Sequence, residues 1–334
     1  MEITKDNTLS IKGFAISAML WHHLFWCNDA YAGWAQVLGI FGKVCVALFL
    51  FVSGYGLAKQ FGNTRVFSKE TVRFLLKRFA KFYLSVWPWI FFAIFVGVVG
   101  FGRGFSEAYP GLNPIKSMAK DFLGISGYFS YIKTWWFNRL ILQLYLLFPF
   151  LALLLRNCYA KWVGFMVIVA LEQFDLLPFF CIQQGGLTTF YLGMLMANAE
   201  ISWPQKMNKF GRMAVYAALL AVCVFLRYPS PLVKYTLIDG CMALAISGIL
   251  VELMQWLRLP VLKAIGQRST PLYLTHSMWI GLTPAIVYWP RFAPLVFLLL
   301  FAISYAVVFA GDAFLKLIRY NKLTGFVVGK IEKL

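Results

Sequence analysis

The stretch KGFAISAMLWHHLFW, residues 12–26, decides the fold class because it places ionisable side chains in an apolar helix. Lys12 and His23 are eleven residues apart, about three helical turns, so both lie on one face, roughly 17 Å apart along the axis. An ionisable side chain at that depth in a lipid-facing helix costs several kcal/mol unless it faces a helical bundle or a wet cavity. The stretch therefore predicts a membrane helix that contributes to a functional site.

The composition of the whole chain is that of a multi-pass membrane protein. Of its 334 residues, 61% are hydrophobic and 18% aromatic, and the mean hydropathy is +0.72. A helix needs about 20 apolar residues to cross a bilayer, and ten segments approach that length. We predict an all-α bundle of ten transmembrane helices that forms one domain over residues 1–334, with no appended soluble domain. The predicted spans are residues 10–29, 33–58, 79–102, 135–155, 159–179, 182–199, 209–227, 234–257, 268–289 and 292–317.

The 31 Lys and Arg residues predict the orientation of these helices, because basic residues are retained in cytoplasmic loops. Basic clusters precede the third and seventh spans, and both lie on the cytoplasmic side if both termini are cytoplasmic. Topology and contact with anionic lipid then explain the net charge of +18, and nucleic-acid binding is disfavoured. The expected location is the lipid bilayer of a bacterial inner or plasma membrane.

Three other features bear on organisation. Ala30-Tyr31-Ala32 resembles a signal-peptide cleavage site, but two histidines would be unusual in the apolar part of a signal peptide. The six cysteines show no CxxC spacing, which predicts packing residues and neither a disulfide framework nor a metal site. Residues 103–133 mix Gly, Pro, Ser and charge, so we expect an external loop that caps a cavity.

Six motifs follow one another along the chain, and together they resemble the acyltransferase 3 family of integral-membrane acyltransferases over nearly its full length. Lys12 stands where the family usually has Arg, the family's proline is absent at Leu84, and the fourth span lacks the acidic residue of one large branch. The motifs are Lys12 with His23; LFLFVSGYGL with Ser53, Gly54 and Tyr55; KRFAKFYLSVWP with Arg78 and Lys81; WFNRLILQLYLLFP with Trp136, Gln143, Tyr145 and Pro149; FYLGMLMA around Gly193; and GQRSTPLYLTHSMW with Gly266, Ser269, Tyr273 and His276.

The resemblance implies an enzyme that moves an acyl group, expected to be acetyl, from cytoplasmic acyl-coenzyme A to a hydroxyl. Acetyl-coenzyme A is then the donor and co-substrate, and no metal is expected. The expected acceptor is a carbohydrate, either a cell-surface polysaccharide or a lipid-linked sugar.

His23 and Lys12, which share one motif, are the candidate catalytic residues. Transfer to a hydroxyl needs a base within hydrogen-bond reach, and a neutral imidazole accepts a proton near pH 7. His23 could act as a direct base or briefly carry the acyl group. A polar contact between helices is the alternative reading of His23.

The coenzyme-binding candidates lie near the predicted cytoplasmic face. Lys12, Arg78 and Lys81 suit the phosphates of coenzyme A, although each could be a plain topology signal. Ser53 and Tyr55 lie at the end of the second helix, where Gly54 either permits close approach of a ligand or packs helices together.

The acceptor-binding candidates occupy two helix faces. Trp136, Arg139 and Gln143 form a polar and aromatic stripe that suits sugar hydroxyls, or an aromatic belt at the membrane interface. Tyr273 and His276 share another face, where His276 either assists His23 or only ties helices together.

A transporter or flippase of a lipid-linked sugar is the rival hypothesis, since a polar helical bundle serves either role. A transporter needs no coenzyme A site and usually has repeated halves. The chain shows an asymmetric basic cluster and no visible repeat. A purely structural membrane subunit would leave the intramembrane His23 unexplained.

Overall fold

The computed structural model describes residues 2–177, 186–199, 207–227 and 236–334, and every regular element in these ranges is helical. The prediction of an all-α fold is confirmed for them. Short 3₁₀ turns cover Asp29–Tyr31, Gly127–Phe129 and Lys133–Trp135, and a π-helical turn, Val96–Gly100, extends the fourth helix. The α-helices are α1 Lys5–Phe25, α2 Trp34–Phe41, α3 Val44–Phe61, α4 Lys69–Phe95, α5 Phe105–Ala108, α6 Pro114–Leu123, α7 Trp136–Leu154, α8 Cys158–Gln173, α9 Gly186–Asn198, α10 Lys209–Arg227, α11 Thr236–Met254, α12 Pro260–Gln267, α13 Ser269–Leu282, α14 Pro284–Val287, α15 Ala293–Leu317 and α16 Tyr320–Glu332.

Six helical stretches in the described residues are long and apolar enough to cross a membrane, and they fall on the second, third, fourth, seventh, eighth and tenth predicted spans. The helices on the other four spans, α1, α8, α9 and α13, do not meet this criterion, so the count of ten and the cytoplasmic termini stay predictions. Residues 178–179, 182–185 and 234–235 of three predicted spans lie outside the described residues, as does Cys181. The six stretches are Trp34–Phe61, Lys69–Gly100, Lys133–Leu154, Lys209–Arg227, Thr236–Met254 and Ala293–Leu317.

The third predicted span begins earlier than its apolar stretch. The sequence pattern predicts a start at residue 79, whereas α4 begins at Lys69. The side chain of Ser68 accepts a hydrogen bond from the Thr71 N–H at 3.3 Å, which caps the helix. The basic segment is therefore helical, and Arg78 and Lys81 lie about one turn apart on α4.

Two predicted spans are interrupted. In the second span, α2 ends at Phe41 and α3 begins at Val44, with Gly42 and Lys43 between them. In the ninth, α13 ends at Leu282 and Pro284 begins the short α14. A proline lacks the N–H that an uninterrupted helix would need at that position.

The chain divides into two compact units. Unit 1 comprises Met1–Met19, Gly42–Val66 and Leu147–Gln267, and unit 2 comprises Leu20–Phe41, Phe67–Leu146 and Arg268–Leu334. In unit 1, α3 packs against α9 and α11. In unit 2, α13 packs against α4 and α15, and α16 packs against α4.

The contact between α3 and α9 brings two backbones together in unit 1. A Cβ atom on Gly54 would overlap the carbonyl of Phe190, and one on Gly193 would overlap the carbonyl of Phe51. Small residues permit this approach between membrane helices. The packing reading of Gly54 therefore has direct structural support.

We expect Gly54→Ala to destabilise the protein by about 1–3 kcal/mol, because the added methyl meets backbone that cannot move aside cheaply. Gly56 on the same helix is the matched control, since the nearest atom to its added Cβ is the Gln60 Nε2, at 3.9 Å. Gly56→Ala should be neutral or stabilising by up to about 1 kcal/mol. Thermal unfolding in detergent measures both changes, and equal unfolding midpoints for the two variants would contradict this account of the α3–α9 contact.

A buried carboxylate orders the predicted external loop in unit 2. Asp121 accepts hydrogen bonds from the Tyr109 hydroxyl at 2.5 Å, from the Tyr131 N–H at 2.7 Å and from the Ser126 hydroxyl. Burial raises the pKa of the Asp121 carboxyl, and these hydrogen bonds oppose the shift. Residues 103–133 are therefore a folded segment built around one polar centre.

Native cysteines offer a test of the predicted orientation. Cys27 and Cys158 are both exposed free thiols, and the charge distribution places Cys27 outside and Cys158 in the cytoplasm. An impermeant thiol reagent on intact cells should label Cys27, and Cys27→Ser should remove that label. Permeabilised cells should label Cys158 as well. Labelling of Cys158 in sealed cells would show that the orientation is wrong.

Candidate functional site

A pair of hydrogen-bonded histidines lies in unit 2, formed by His23 on α1 and His276 on α13. The His276 Nε2 and the His23 Nδ1 are 2.9 Å apart, although the residues are 253 positions apart in sequence. Their rings are stacked, with centroids 4.9 Å apart. His276 is fully buried and His23 is half-buried. The pair therefore has one fully enclosed member and one member that is partly exposed.

The backbone of α13 determines where the protons of this pair lie. The His276 Nδ1 is 2.9 Å from the carbonyl oxygen of Tyr273 and 3.1 Å from that of Leu272. A carbonyl only accepts, so the His276 Nδ1 carries a hydrogen and its Nε2 has a lone pair. The His23 Nδ1–H must then donate to that lone pair. The His23 Nε2 is left as an unprotonated, basic nitrogen.

His22 has a different environment from its neighbour. Its Nδ1 is 2.7 Å from the Gly39 carbonyl oxygen, and its ring stacks on Trp26 with centroids 5.5 Å apart. The contact with Gly39 joins α1 to α2. The structure thus places His23, and not His22, in hydrogen-bond contact with His276.

The predicted acceptor residue Tyr273 helps to fix α13 against the turn Lys133–Trp135. Its hydroxyl donates to the Thr134 carbonyl at 2.7 Å, and the Trp135 indole donates to the Leu274 carbonyl at 2.9 Å. The hydroxyl proton of Tyr273 is therefore committed to the backbone. Only its oxygen lone pairs remain for a ligand.

The other acceptor candidates follow α7 in unit 2. Trp136, Arg139 and Gln143 are all half-buried. The side-chain oxygen of Gln143 is buried and accepts no hydrogen bond from the residues that the structure describes. A buried acceptor without a donor is costly, so a ligand hydroxyl would satisfy it.

The coenzyme candidates Arg78 and Lys81 lie on α4 in unit 2. The Arg78 guanidinium lies 5.2 Å from the centroid of the Phe74 ring and is half-buried, whereas Lys81 is exposed. Lys77, on the same helix, forms an ion pair with Glu332 of α16. The basic end of α4 is therefore partly neutralised by the C-terminal helix.

The remaining candidates, Lys12, Ser53 and Tyr55, belong to unit 1. Lys12 and Ser53 are half-buried. Tyr55 is only 2% exposed, and its hydroxyl oxygen accepts a hydrogen bond from the Ile3 N–H at 3.0 Å. Tyr55 therefore holds the segment before α1 in place. Its predicted contact with the coenzyme would require the Tyr55 hydroxyl to bind the ligand while it keeps this hydrogen bond.

Trp279 is a residue that the sequence analysis did not select. It lies about one turn beyond His276 on α13, and its indole Nε1 is buried without an acceptor among the described residues. In the sequence, only the position of Trp279 three residues after His276, in the segment THSMW, indicates that Trp279 could belong to the same site. The structure shows an unused buried donor on the helix that carries His276.

Thiols and metal ligands form no further centre in the part of the chain that the structure describes. Cys27, Cys45, Cys158, Cys223 and Cys241 are free there. His, Cys, Asp and Glu side chains in the same ranges form no group of three or more that could hold a metal ion.

Comparison with known proteins adds one finding. A family model described as an acyltransferase domain matches residues 10–312, which is nearly the whole chain. The matched region contains both His23 and His276 and ends before α16. No curated protein and no solved structure gives a significant match.

Proposed function

The chain belongs to the acyltransferase 3 family, and we propose that it transfers an acetyl group from cytoplasmic acetyl-coenzyme A to a hydroxyl of a cell-surface polysaccharide or lipid-linked sugar. Family membership makes the chain a membrane acyltransferase. The acetyl donor, the carbohydrate acceptor and the location in a bacterial inner or plasma membrane are our proposal. The observation that carries it is the hydrogen bond between His23 and His276, because it leaves a basic nitrogen on the partly exposed His23 imidazole.

In the proposed reaction, the His23 Nε2 removes the proton of the acceptor hydroxyl while the oxygen attacks the thioester carbonyl. The C–S bond then breaks, and the coenzyme A thiolate takes the proton from His23. During this cycle His23 is transiently an imidazolium that donates through Nδ1 to His276. His276 thus acts as a positioning residue, because it holds the ring and selects the tautomer.

Unit 2 offers groups that could bind the acceptor and stabilise charge. The unsatisfied Gln143 oxygen can accept from a second sugar hydroxyl, and the Trp136 indole offers an apolar face to a sugar ring. The buried Trp279 N–H is a candidate donor to the oxyanion of the tetrahedral intermediate, where a fixed donor is most effective.

The proposed donor, acetyl-coenzyme A, needs basic residues that bind its phosphates. Lys12, Arg78 and Lys81 are our candidates, because charge-assisted hydrogen bonds to phosphate are stronger than neutral ones. All three lie toward the side that the charge distribution predicts to be cytoplasmic. The acyl group would enter from that side.

Purified protein in liposomes, supplied with radiolabelled acetyl-coenzyme A and a polysaccharide or lipid-linked sugar, tests the proposal. We expect label to appear on the sugar in an alkali-labile ester. The result that favours the rival transporter is movement of labelled sugar across the membrane with no consumption of acetyl-coenzyme A.

A further inference from the structure

A cavity of about 400 Å³ opens in unit 1 where α3, α7 and α9 end. Ligand sites commonly have volumes of about 300–1,000 Å³. Its inner wall contains the rings of Phe61 and Phe148, which pack edge to face with centroids 5.2 Å apart. Its polar lining residues are Asn63, Arg156 and Asn198. No residue of this cavity has a part in the acyl-transfer chemistry described above.

The charge of the cavity favours an anion. Among the residues that the structure describes, its lining includes Arg156 and no carboxylate. One N–H of the Arg156 guanidinium donates to the Thr64 carbonyl, which leaves most of its five donors for a ligand. Lys59, in the last turn of α3, is also exposed. Arginine binds phosphate oxygens with its planar fork.

The neutral groups favour a ligand that also brings hydrogen-bond donors. Several carbonyl groups at the three helix ends already accept backbone hydrogen bonds, such as the Ala58 carbonyl from the Gly62 N–H and the Leu195 carbonyl from the Ala199 N–H, so the side-chain amides are the main neutral polar groups for a ligand. The amides of Asn63 and Asn198 both donate and accept, and an Asn amide can pair with the edge of adenine through two hydrogen bonds. An adenine base and ribose hydroxyls match the two amides, and a phosphate matches Arg156, while the buried rings of Phe61 and Phe148 bound the cavity on its inner side.

The predicted topology places the cavity on the donor's side. The second, fourth and sixth predicted spans run toward the cytoplasm, so the C-terminal ends of α3, α7 and α9 share the cytoplasmic face. Ser53 precedes Phe61 by eight residues on α3, about 12 Å along the axis. A flexible arm that starts in the cavity could therefore follow α3 toward Ser53.

We propose that this cavity binds the adenosine phosphate end of the acyl-coenzyme A donor, an inference that rests on the proposed function. The nucleotide end is remote from the thioester, so the cavity contributes to donor affinity and not to the chemical step. Its loss should therefore change KM for the donor and leave kcat unchanged.

Two neighbouring substitutions on α7 test the proposal. Ala152 lines the cavity and is 6% exposed, whereas Leu153 is 49% exposed and is not one of the lining residues. Ala152→Phe should raise KM for acetyl-coenzyme A by about 10-fold or more, as should Arg156→Gln, which removes charged hydrogen bonds from an exposed position. Neither change should affect KM for acetyl-phosphopantetheine, which lacks the nucleotide. Leu153→Phe should match the wild type with both donors.

The outcomes separate this inference from the proposed function. Equal increases in KM for both donors, or no change in either, would overturn the cavity assignment while transfer itself persists. If neither donor is consumed, the proposed function fails, and thermal stabilisation by adenosine 3′,5′-bisphosphate then tests the cavity directly. Stabilisation of the wild type and of Leu153→Phe, but not of Ala152→Phe or Arg156→Gln, supports the nucleotide site. Stabilisation by anionic phospholipid alone rejects it.

Discussion

Replacing His23 by alanine should reduce acyl transfer by about 10² to 10⁴-fold, the usual loss when a positioned general base is removed. The reason is local, because the hydrogen bond to His276 leaves the His23 Nε2 as the basic nitrogen of the pair. The initial rate of label transfer in liposomes measures the effect. His23→Ala also leaves the buried His276 Nε2 without its hydrogen-bond partner, so it should cost about 1–3 kcal/mol of stability, which thermal unfolding in detergent measures separately from the rate.

His22→Ala is the matched control on the same helix turn. The substitution removes the contact with the Gly39 carbonyl, so it should cost about 1 kcal/mol of stability. Its transfer rate should remain within several-fold of the wild type. Comparable rates for His22→Ala and His23→Ala, whether both high or both low, would contradict the assignment of the base.

His276→Leu should lower kcat by about 10²-fold with little change in KM for acetyl-coenzyme A. A leucine removes the acceptor for the His23 Nδ1–H, so the ring can rotate and its tautomer is no longer selected. The comparison of kcat with KM distinguishes this positioning role from donor binding. Steady-state kinetics with varied donor concentration supplies both values.

The conservative variant separates positioning from folding. His276→Asn keeps an oxygen that can accept from His23, so it should recover a substantial part of the rate lost in His276→Leu. If both variants unfold at the same lowered temperature and lose activity equally, His276 only holds helices together. Full activity in His276→Leu would also contradict the positioning role.

Much of the helical framework could be predicted from hydrophobic runs, whereas the helix ends depended on local chemistry. The tenth predicted span, 292–317, differs from Ala293–Leu317 by one residue at its start. The third predicted span begins at residue 79, later than α4, because the N-cap at Ser68 starts the helix inside a basic segment that has low hydropathy. The second was broken at Gly42 and Lys43, although a long apolar run surrounds them.

The candidate site was predictable only to the level of single helices. Periodicity reports which residues share a face, so it could relate Lys12 to His23 and Tyr273 to His276. Periodicity carries no information on which helix faces meet. The contact between His23 and His276 depends on how the helices pack, so the sequence pattern could not predict it. The unsatisfied nitrogen of Trp279 emerged in the same way.

The backbone contacts of His276 also decide where a proton can travel. The carbonyl oxygens of Leu272 and Tyr273 are too weakly basic to accept a proton, so the chain of imidazoles ends at them. A proton that reaches His23 must leave through the nitrogen at which it arrived. In the proposed reaction the alcohol releases one proton and the thiolate takes up one. Both transfers use the His23 Nε2, so each turnover consumes and releases no net proton. The proposed acyl transfer therefore needs no proton-motive force.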